Sequence, residues 1–234
     1  MSRLYFIHHS SYLWVGDRSM ILWDYYGKGE VASFLAEHPD KRLYIMVTHS
    51  HGDHYSPIIF DTPFVTHAGG VVYIFHEELK ETINREEVHY LETGEDWEDN
   101  QIMVKAFGST DCGGSFYVEV EGQKLFHAGD LNNWHWNQEA DEEYIELYET
   151  HWQRELERLT DSVRLLDLLM FPTDLRLGRD YLKGLRSLLA MTEVKYLAPM
   201  HLNGVLDPKE LEELCDKYGI DLLLPQPQIA RILR

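Results

Sequence analysis

Between residues 48 and 57 the chain reads THSHGDHYSP, which crowds His49, His51, Asp53 and His54 into six positions. Imidazole and carboxylate are the side chains that suit zinc, manganese or iron, and alternate spacing lets one tight turn aim several of them at a single point. Two more residues of ligand type close distant apolar runs: Asp130 in Phe-His-Ala-Gly-Asp and His201 in Leu-Ala-Pro-Met-His. A structural site usually draws its ligands from one local knuckle or from cysteines. Nitrogen and oxygen donors gathered from separate strand ends mark an open, catalytic centre instead. The expected chemistry is therefore metal-dependent, with one or two divalent ions as cofactor and zinc before manganese or iron.

Such a centre needs rigid elements to carry it. Residues 43–48, Leu-Tyr-Ile-Met-Val-Thr, are apolar and β-branched. They predict a buried strand that delivers the cluster to its C-terminal end, where open α/β sheets place ligands. Short apolar runs at 4–7, 11–15 and 20–23, with Gly16-Asp17 as a hairpin signal, predict an antiparallel opening. A helix is expected at 29–38, ended by Pro39-Asp40, then strands at 64–66, 71–75, 87–91 and 103–107, and a hairpin of 115–120 with 124–127 about Glu121-Gly122. From residue 139 the pattern changes. Tyr144, Leu147, Tyr148, Trp152, Leu156, Leu159 and Val163 recur at helical spacing, followed by a strand at 168–172, a helix at 180–189, a strand at 194–198 and a helix at 208–217. No repeat, low-complexity segment or linker marks a boundary, so residues 1–234 read as one α/β domain.

Composition narrows the partners. With 44% hydrophobic residues the chain can close a sizeable core. Its 40 acidic against 21 basic residues give a formal charge of −19, which repels phosphate backbones and anionic membranes over most of the surface. A small-molecule substrate is favoured over nucleic acid. Cys112 and Cys215 lie far apart without CxxC spacing, which argues against a disulfide framework and a thiolate zinc site. The first apolar residues break into histidines too early for a signal peptide, and no stretch approaches the ~20 apolar residues of a membrane span. A cytoplasmic protein without membrane insertion is expected.

The motif HxHxDH behind a buried strand, complete here as His49, His51, Asp53 and His54, resembles that of the metallo-β-lactamase-fold hydrolases. The Gly-Asp pair at Asp130, the late strand-end His201 and the early strand-end Asp24 match the same pattern in the same order. The resemblance implies an αββα sandwich, two mixed sheets packed face to face with helices outside. It also implies ligand roles: His49 and His51 for a first metal, Asp53, His54 and His201 for a second, and Asp130 between them. Asp24 would support the metal loop. A hydroxide held between the ions would attack a carbonyl or phosphoryl centre, with Asp53 both ligating and orienting it. The opening Ile7-His-His-Ser-Ser-Tyr-Leu is similar to the "GHAS" start of the branch that includes the L-ascorbate-6-phosphate lactonase and N-acyl phosphatidylethanolamine phospholipase D. That implies an ester, lactone or phosphoester substrate; the alternatives are a nuclease of the same superfamily and a metal-binding protein without catalysis.

One departure stands out. Where the family supplies a third first-site histidine, this chain reads Phe107-Gly-Ser-Thr-Asp-Cys-Gly-Gly-Ser115. Ser109 takes the missing ligand's place as a poorer donor, Asp111 swings in as a carboxylate that favours manganese, or the segment is a hydrogen-bonded turn. Among the other candidates, His127 reads as a satisfied core histidine, because residues three apart on a strand face opposite ways. His135, between Trp134 and Trp136, either walls the pocket or joins a surface aromatic cluster. His9 faces substrate, backs a ligand or caps its corner. Arg176 clamps a substrate anion or pairs with Asp174 at the surface. The acidic runs 92–99 and 139–143 read as solvated faces.

Overall fold

Alternation along the strands decides how the layers stack. In the computed structural model, which describes residues 1–202, 208–226 and 231–233, the first half forms β1 (Ser2–His8), β2 (Ser11–Val15), β3 (Ser19–Trp23), α1 (Ala32–Glu37), β4 (Arg42–Val47), β5 (Val71–His76) and β6 (Val88–Leu91). On β4, Leu43, Ile45 and Val47 join an outer cluster with Phe34 and Leu35 of α1. Tyr44 and Met46 face the other way, into the larger core. A strand with both faces buried shows no polar alternation, which is why this run is continuously apolar.

The second half adds β7 (Asp96–Glu98), β8 (Ile102–Gly108), β9 (Gly114–Val120), β10 (Gln123–His127), α2 (Glu142–Ser162), β11 (Leu165–Pro172), α3 (Lys183–Leu189), β12 (Glu193–Met200), α4 (Pro208–Tyr218), β13 (Asp221–Leu222) and β14 (Arg231–Leu233). One sheet runs β14-β1-β2-β3-β4-β5-β6 and the other β13-β12-β11-β10-β9-β8-β7. Both change from antiparallel to parallel partway, at β3–β4 and at β10–β11. The result is the expected αββα sandwich of two mixed sheets.

Polar contacts stitch the two sheets across the apolar interior. Tyr12 donates to the carbonyl of Pro199 at 2.7 Å, Trp14 Nε1 to Gln123 Oε1 at 3.2 Å, and Tyr44 to Asp99 Oδ2 at 2.8 Å. The indole of Trp23 stacks on the ring of His127, 5.8 Å apart and 4° from parallel. Outside the second sheet, Trp152, Leu156 and Leu159 of α2 form the buried stripe that the helical spacing predicted.

Several expectations are corrected. Residues 64–66 are turn rather than strand; the buried Phe64 packs on Tyr25 within the crossover from β4 to β5. The first helix shortens to Ala32–Glu37 because Gly29 sits at φ +83, where a Cβ would meet Ile7 at 2.6 Å. The helix expected at 180–189 starts only at Lys183, as α3, after a 3-10 turn at Leu175–Asp180. The acidic run 92–99 is a solvated face as expected, with Glu92, Glu95, Asp96 and Glu98 exposed, and it also carries the unforeseen edge strand β7, whose Trp97 packs against His89 and Tyr44. Among the described residues no helix is long and apolar enough to cross a membrane. Trp14, wholly buried between the sheets, is a direct probe of this packing: Trp14→Ala should cost about 3–5 kcal/mol in urea unfolding, and a loss under 1 kcal/mol would contradict the buried inter-sheet position.

Candidate metal centre

The buried carboxylate of Asp24, at the end of β3, organises the loop after β4. Its Oδ1 accepts from the Thr48 backbone N–H and its Oδ2 from Thr48 Oγ1, both at 2.8 Å. Oδ2 also lies 2.8 Å from His54 Nδ1. Since a carboxylate only accepts, His54 carries a proton on Nδ1 and can turn the Nε2 lone pair inward. Thr48 Oγ1, having donated its own proton, accepts from His49 Nδ1 at 3.0 Å and sets that ring the same way. His49 Nε2 then stands 3.1 Å from His51 Nδ1 and 3.5 Å from Asp130 Oδ2.

A second carboxylate does the same from the other sheet. Asp174 follows β11, is fully buried, and places Oδ2 3.0 Å from His201 Nδ1. Arg176 holds that carboxylate through its backbone N–H, Nε and Nη2. Asp130 lies in the middle, with Oδ1 3.2 Å from His54 Nε2 and 3.5 Å from His201 Nε2. The ligand-type atoms fall into two groups, each within 4.8 Å of one another: His49, His51 and Asp130, and His9, Asp53, His54 and His201. The buried atoms His9 Nε2, His54 Nε2 and Asp130 Oδ1 make no hydrogen bond. Buried polar atoms left this way, converging as nitrogen and oxygen donors, fit a divalent ion.

Electrostatics agree with a cation site. Burial raises the cost of ionising Asp130, yet His54 and His201 outweigh it and hold the carboxyl well below its usual range. Burial likewise opposes a charge on His54, but Asp130 and Asp24 raise its pKa to about 10. His201, opposed by burial and supported by Asp130 and Asp174, rises to about 9. His49 falls to about 4 because burial and the neighbouring His54 both disfavour its charge. The His9 ring beside Asp53 holds that half-exposed carboxyl below its ordinary value.

The donors open onto a cavity of about 350 Å³ lined by His51, Asp53, Asp111, Asp130, Trp134, Trp136, Tyr144, Tyr148, Arg176 and His201. A sequence profile of the family described as beta-lactamase superfamily domain matches residues 3–192. The chain belongs to the metallo-β-lactamase superfamily. Solved structures share its fold at low identity. Igni18, a metallo hydrolase from the archaeon Ignicoccus hospitalis, is 13% identical with a TM-score of 0.70, covering 99% of this chain and 98% of that one. CmlA, a diiron β-hydroxylase from Streptomyces venezuelae, is 11% identical with a TM-score of 0.66, covering 100% of this chain and 54% of that one. The short form of human tRNase Z is 14% identical with a TM-score of 0.60, and each chain is covered completely.

Measured against the superfamily pattern, the segment between β8 and β9 departs as the sequence indicates. Ser109 Oγ accepts from the Asp111 backbone N–H at 3.2 Å, the hydrogen bond of a local turn. The turn has a steric reason: Gly113, at φ +64, packs backbone against backbone, and a Cβ there would meet the Thr48 carbonyl at 2.1 Å. Asp111 lines the cavity outside both donor groups, its pKa raised by burial and by the charge of Asp130. His135 is corrected: it is buried with Nε2 3.1 Å from the Asp180 carbonyl and Nδ1 accepting from the Asn137 N–H, while its neighbours Trp134 and Trp136 face the cavity. His127 is a satisfied core ring, as expected, with Nε2 2.8 Å from the Ser10 carbonyl. Arg176 pairs with Asp174, as one of its two readings expects, and also lines the cavity.

Sequence reasoning missed several parts. Asp174 reads as a surface partner of Arg176, although it stands on the rim that carries His201. Glu78 goes unnoticed, yet it accepts from Ser50 Oγ at 2.9 Å and from the Ser50 N–H at 3.2 Å, bracing the histidine loop. Tyr144 and Tyr148, stacked at 4.4 Å, wall the cavity; their four-residue spacing on the exposed side of α2 was the available signal. With pKa values raised to about 10 and about 9, the metal-free rings of His54 and His201 take a second proton on Nε2 at neutral pH, and a metal must displace it. Apparent metal affinity should therefore rise with pH from 6 towards 9, with protons released in calorimetry run in buffers of different ionisation enthalpy; a flat profile would contradict it. Asp24→Asn, whose amide can donate to His54 Nδ1 and push the proton onto Nε2, should weaken metal binding ~10–100-fold, measured by chelator competition.

Proposed function

We propose that this protein is a metal-dependent hydrolase that cleaves an ester, lactone or phosphoester in a small molecule. The observation that carries the reading is the pair of donor groups, with Asp130 of one lying 3.2 Å from His54 and 3.5 Å from His201 of the other, open to a cavity with one guanidinium, Arg176, on its wall. His49, His51 and Asp130 would hold one divalent ion, and Asp53, His54 and His201 a second, with Asp130 reaching both. Bound there, such ions supply Lewis acidity and make water a usable nucleophile at neutral pH. Zinc suits the imidazole-rich donors best, with manganese or iron as the other metals to be tested.

The chain's own side chains do the rest. Asp53, half exposed and kept ionised, is an acceptor placed to orient an attacking water. Arg176, locked on one side by Asp174 and lying 5.8 Å from the Trp136 ring centre, would bind a carboxylate or phosphate on the substrate. Trp134, Trp136, Tyr144 and Tyr148 would shed water from an apolar portion of the substrate. The formal charge of −19 supports a small molecule over a nucleic acid. The position of His9 beside the donors supports the lactonase and phospholipase-like branch. Residues 1–234 act in this reading as one unit, and the unpaired Cys112 and Cys215 support a cytoplasmic setting.

Zinc-, manganese- and iron-loaded protein assayed on ester, lactone and phosphodiester panels should turn over at least one class, with activity lost to chelator. Asp53→Ala combined with His54→Ala should abolish both metal uptake and turnover; unaltered turnover in that double variant would refute the reading. Arg176→Ala should raise KM by about 10-fold or more for anionic substrates, as expected for ~1.5–3 kcal/mol of charge-assisted hydrogen bonding. Cleavage of RNA or DNA in gel assays, with small esters untouched, would shift the assignment to a nuclease.

A further inference from the structure

His9 leaves β1 where the pairing with β2 shifts register, and it adopts a left-handed φ of 54°. That corner turns the ring into the site, 6% exposed and 4.6 Å from the ring of His201. Its Nδ1 lies 3.3 Å from the carbonyl oxygen of Leu202. A carbonyl only accepts, so the proton sits on Nδ1. Nε2 is then left buried without a hydrogen bond, aimed at Asp53 Oδ2 3.4 Å away.

Between Nε2 and the carboxylate something positive must stand, either a second ring proton or a metal ion. A charge-assisted hydrogen bond would draw them to ~2.7–2.9 Å. Two ligands held ~2.1 Å from one ion at the tetrahedral angle stand ~3.4 Å apart. We propose that His9 is itself a metal ligand, completing a site of three imidazoles and one carboxylate with Asp53, His54 and His201, and that this site binds its ion more tightly than the group His49, His51 and Asp130. The proposal rests on the metallohydrolase reading above and extends it.

The contrast between the two groups supports the ranking. The His9 group offers four donors, three of them buried. The other offers three, with His51 exposed. With Asp130 within reach of both groups, the His9 group surrounds its ion more fully than the other, which keeps a position for water or substrate, so the His9 group anchors its ion while the weaker group faces the chemistry. The ligand missing near Ser109 is thus matched by an extra one at the opposite side.

The decisive variant is His9→Asn, because asparagine tolerates left-handed backbone and keeps an N–H for the Leu202 carbonyl while removing Nε2. Zinc affinities are read by competition with a chromophoric chelator, with elemental analysis for stoichiometry. The full chain should bind two classes of zinc. His9→Asn should weaken the tight class by more than the ~10–100-fold that loss of a ligand's hydrogen-bond partner costs, and His51→Ala should weaken the other class and leave the tight one intact. Unchanged zinc binding in His9→Asn would overturn the proposal and make His9 an ion-pair partner of Asp53. As a test that needs no variant, wild-type protein carrying one equivalent of cobalt should show three imidazoles by X-ray absorption; two would overturn it. Wild-type protein that retains no metal at all would instead defeat the underlying metallohydrolase reading.

Discussion

The hydrogen bonds of Asp24 are the constraint on which the candidate centre depends. Its carboxylate is excluded from water, so it must be satisfied from within, and its partners are the first residue of the histidine loop and two of the loop's functional groups. Through Thr48 it sets His49, and directly it sets His54. One buried charge thereby fixes the loop backbone, the orientation of two rings and which nitrogen of each faces inward. Removing it would leave three polar groups unsatisfied in the interior, the costly half of breaking a buried network.

Asp174 repeats this device from the second sheet, and the repetition follows from topology. Each sheet switches from antiparallel to parallel pairing once, and the residues after β3, β4, β10, β11 and β12 meet at one edge of the sandwich. The edge carries local strain. His9, Asp24, Trp136 and His201 are four of the five non-glycine residues with positive φ among the described residues. Non-glycine residues in the left-handed region are sparsely populated and persist where surrounding contacts over-determine them. Here those contacts are the carboxylate–imidazole pairs, so the geometry of the donors and the strain of the backbone are two sides of one arrangement.

Most of the architecture was legible from residue pattern. Continuous apolar runs marked the doubly buried strands, and the spacing from Tyr144 to Val163 marked α2. The failures are physical in origin. Phe64-Val-Thr66 has strand-like composition, but the neighbour it would need is already taken: β4 and β5 pair with each other, leaving the segment to serve as crossover. The acidic run at 96–98 forms an edge strand because Trp97 finds a partner in His89, a contact invisible along the sequence.

For the centre, the sequence alone singled out His49, His51, Asp53, His54, Asp130 and His201 as candidate donors, because ligand chemistry is a matter of residue type and the compact motif brings four of them together within one turn. It also determined that residues 107–115 contain no histidine. What only the tertiary structure decided is how those donors are grouped and held. His9 and Asp53 are 44 positions apart, and Asp174 and His201 are 27 apart, yet each pair lies within about 3.4 Å. Such pairings arise from the packing of two sheets and from strained corners that turn single side chains. Neither periodicity nor composition encodes them, since both report on which face a residue occupies and not on what the opposite sheet presents to it.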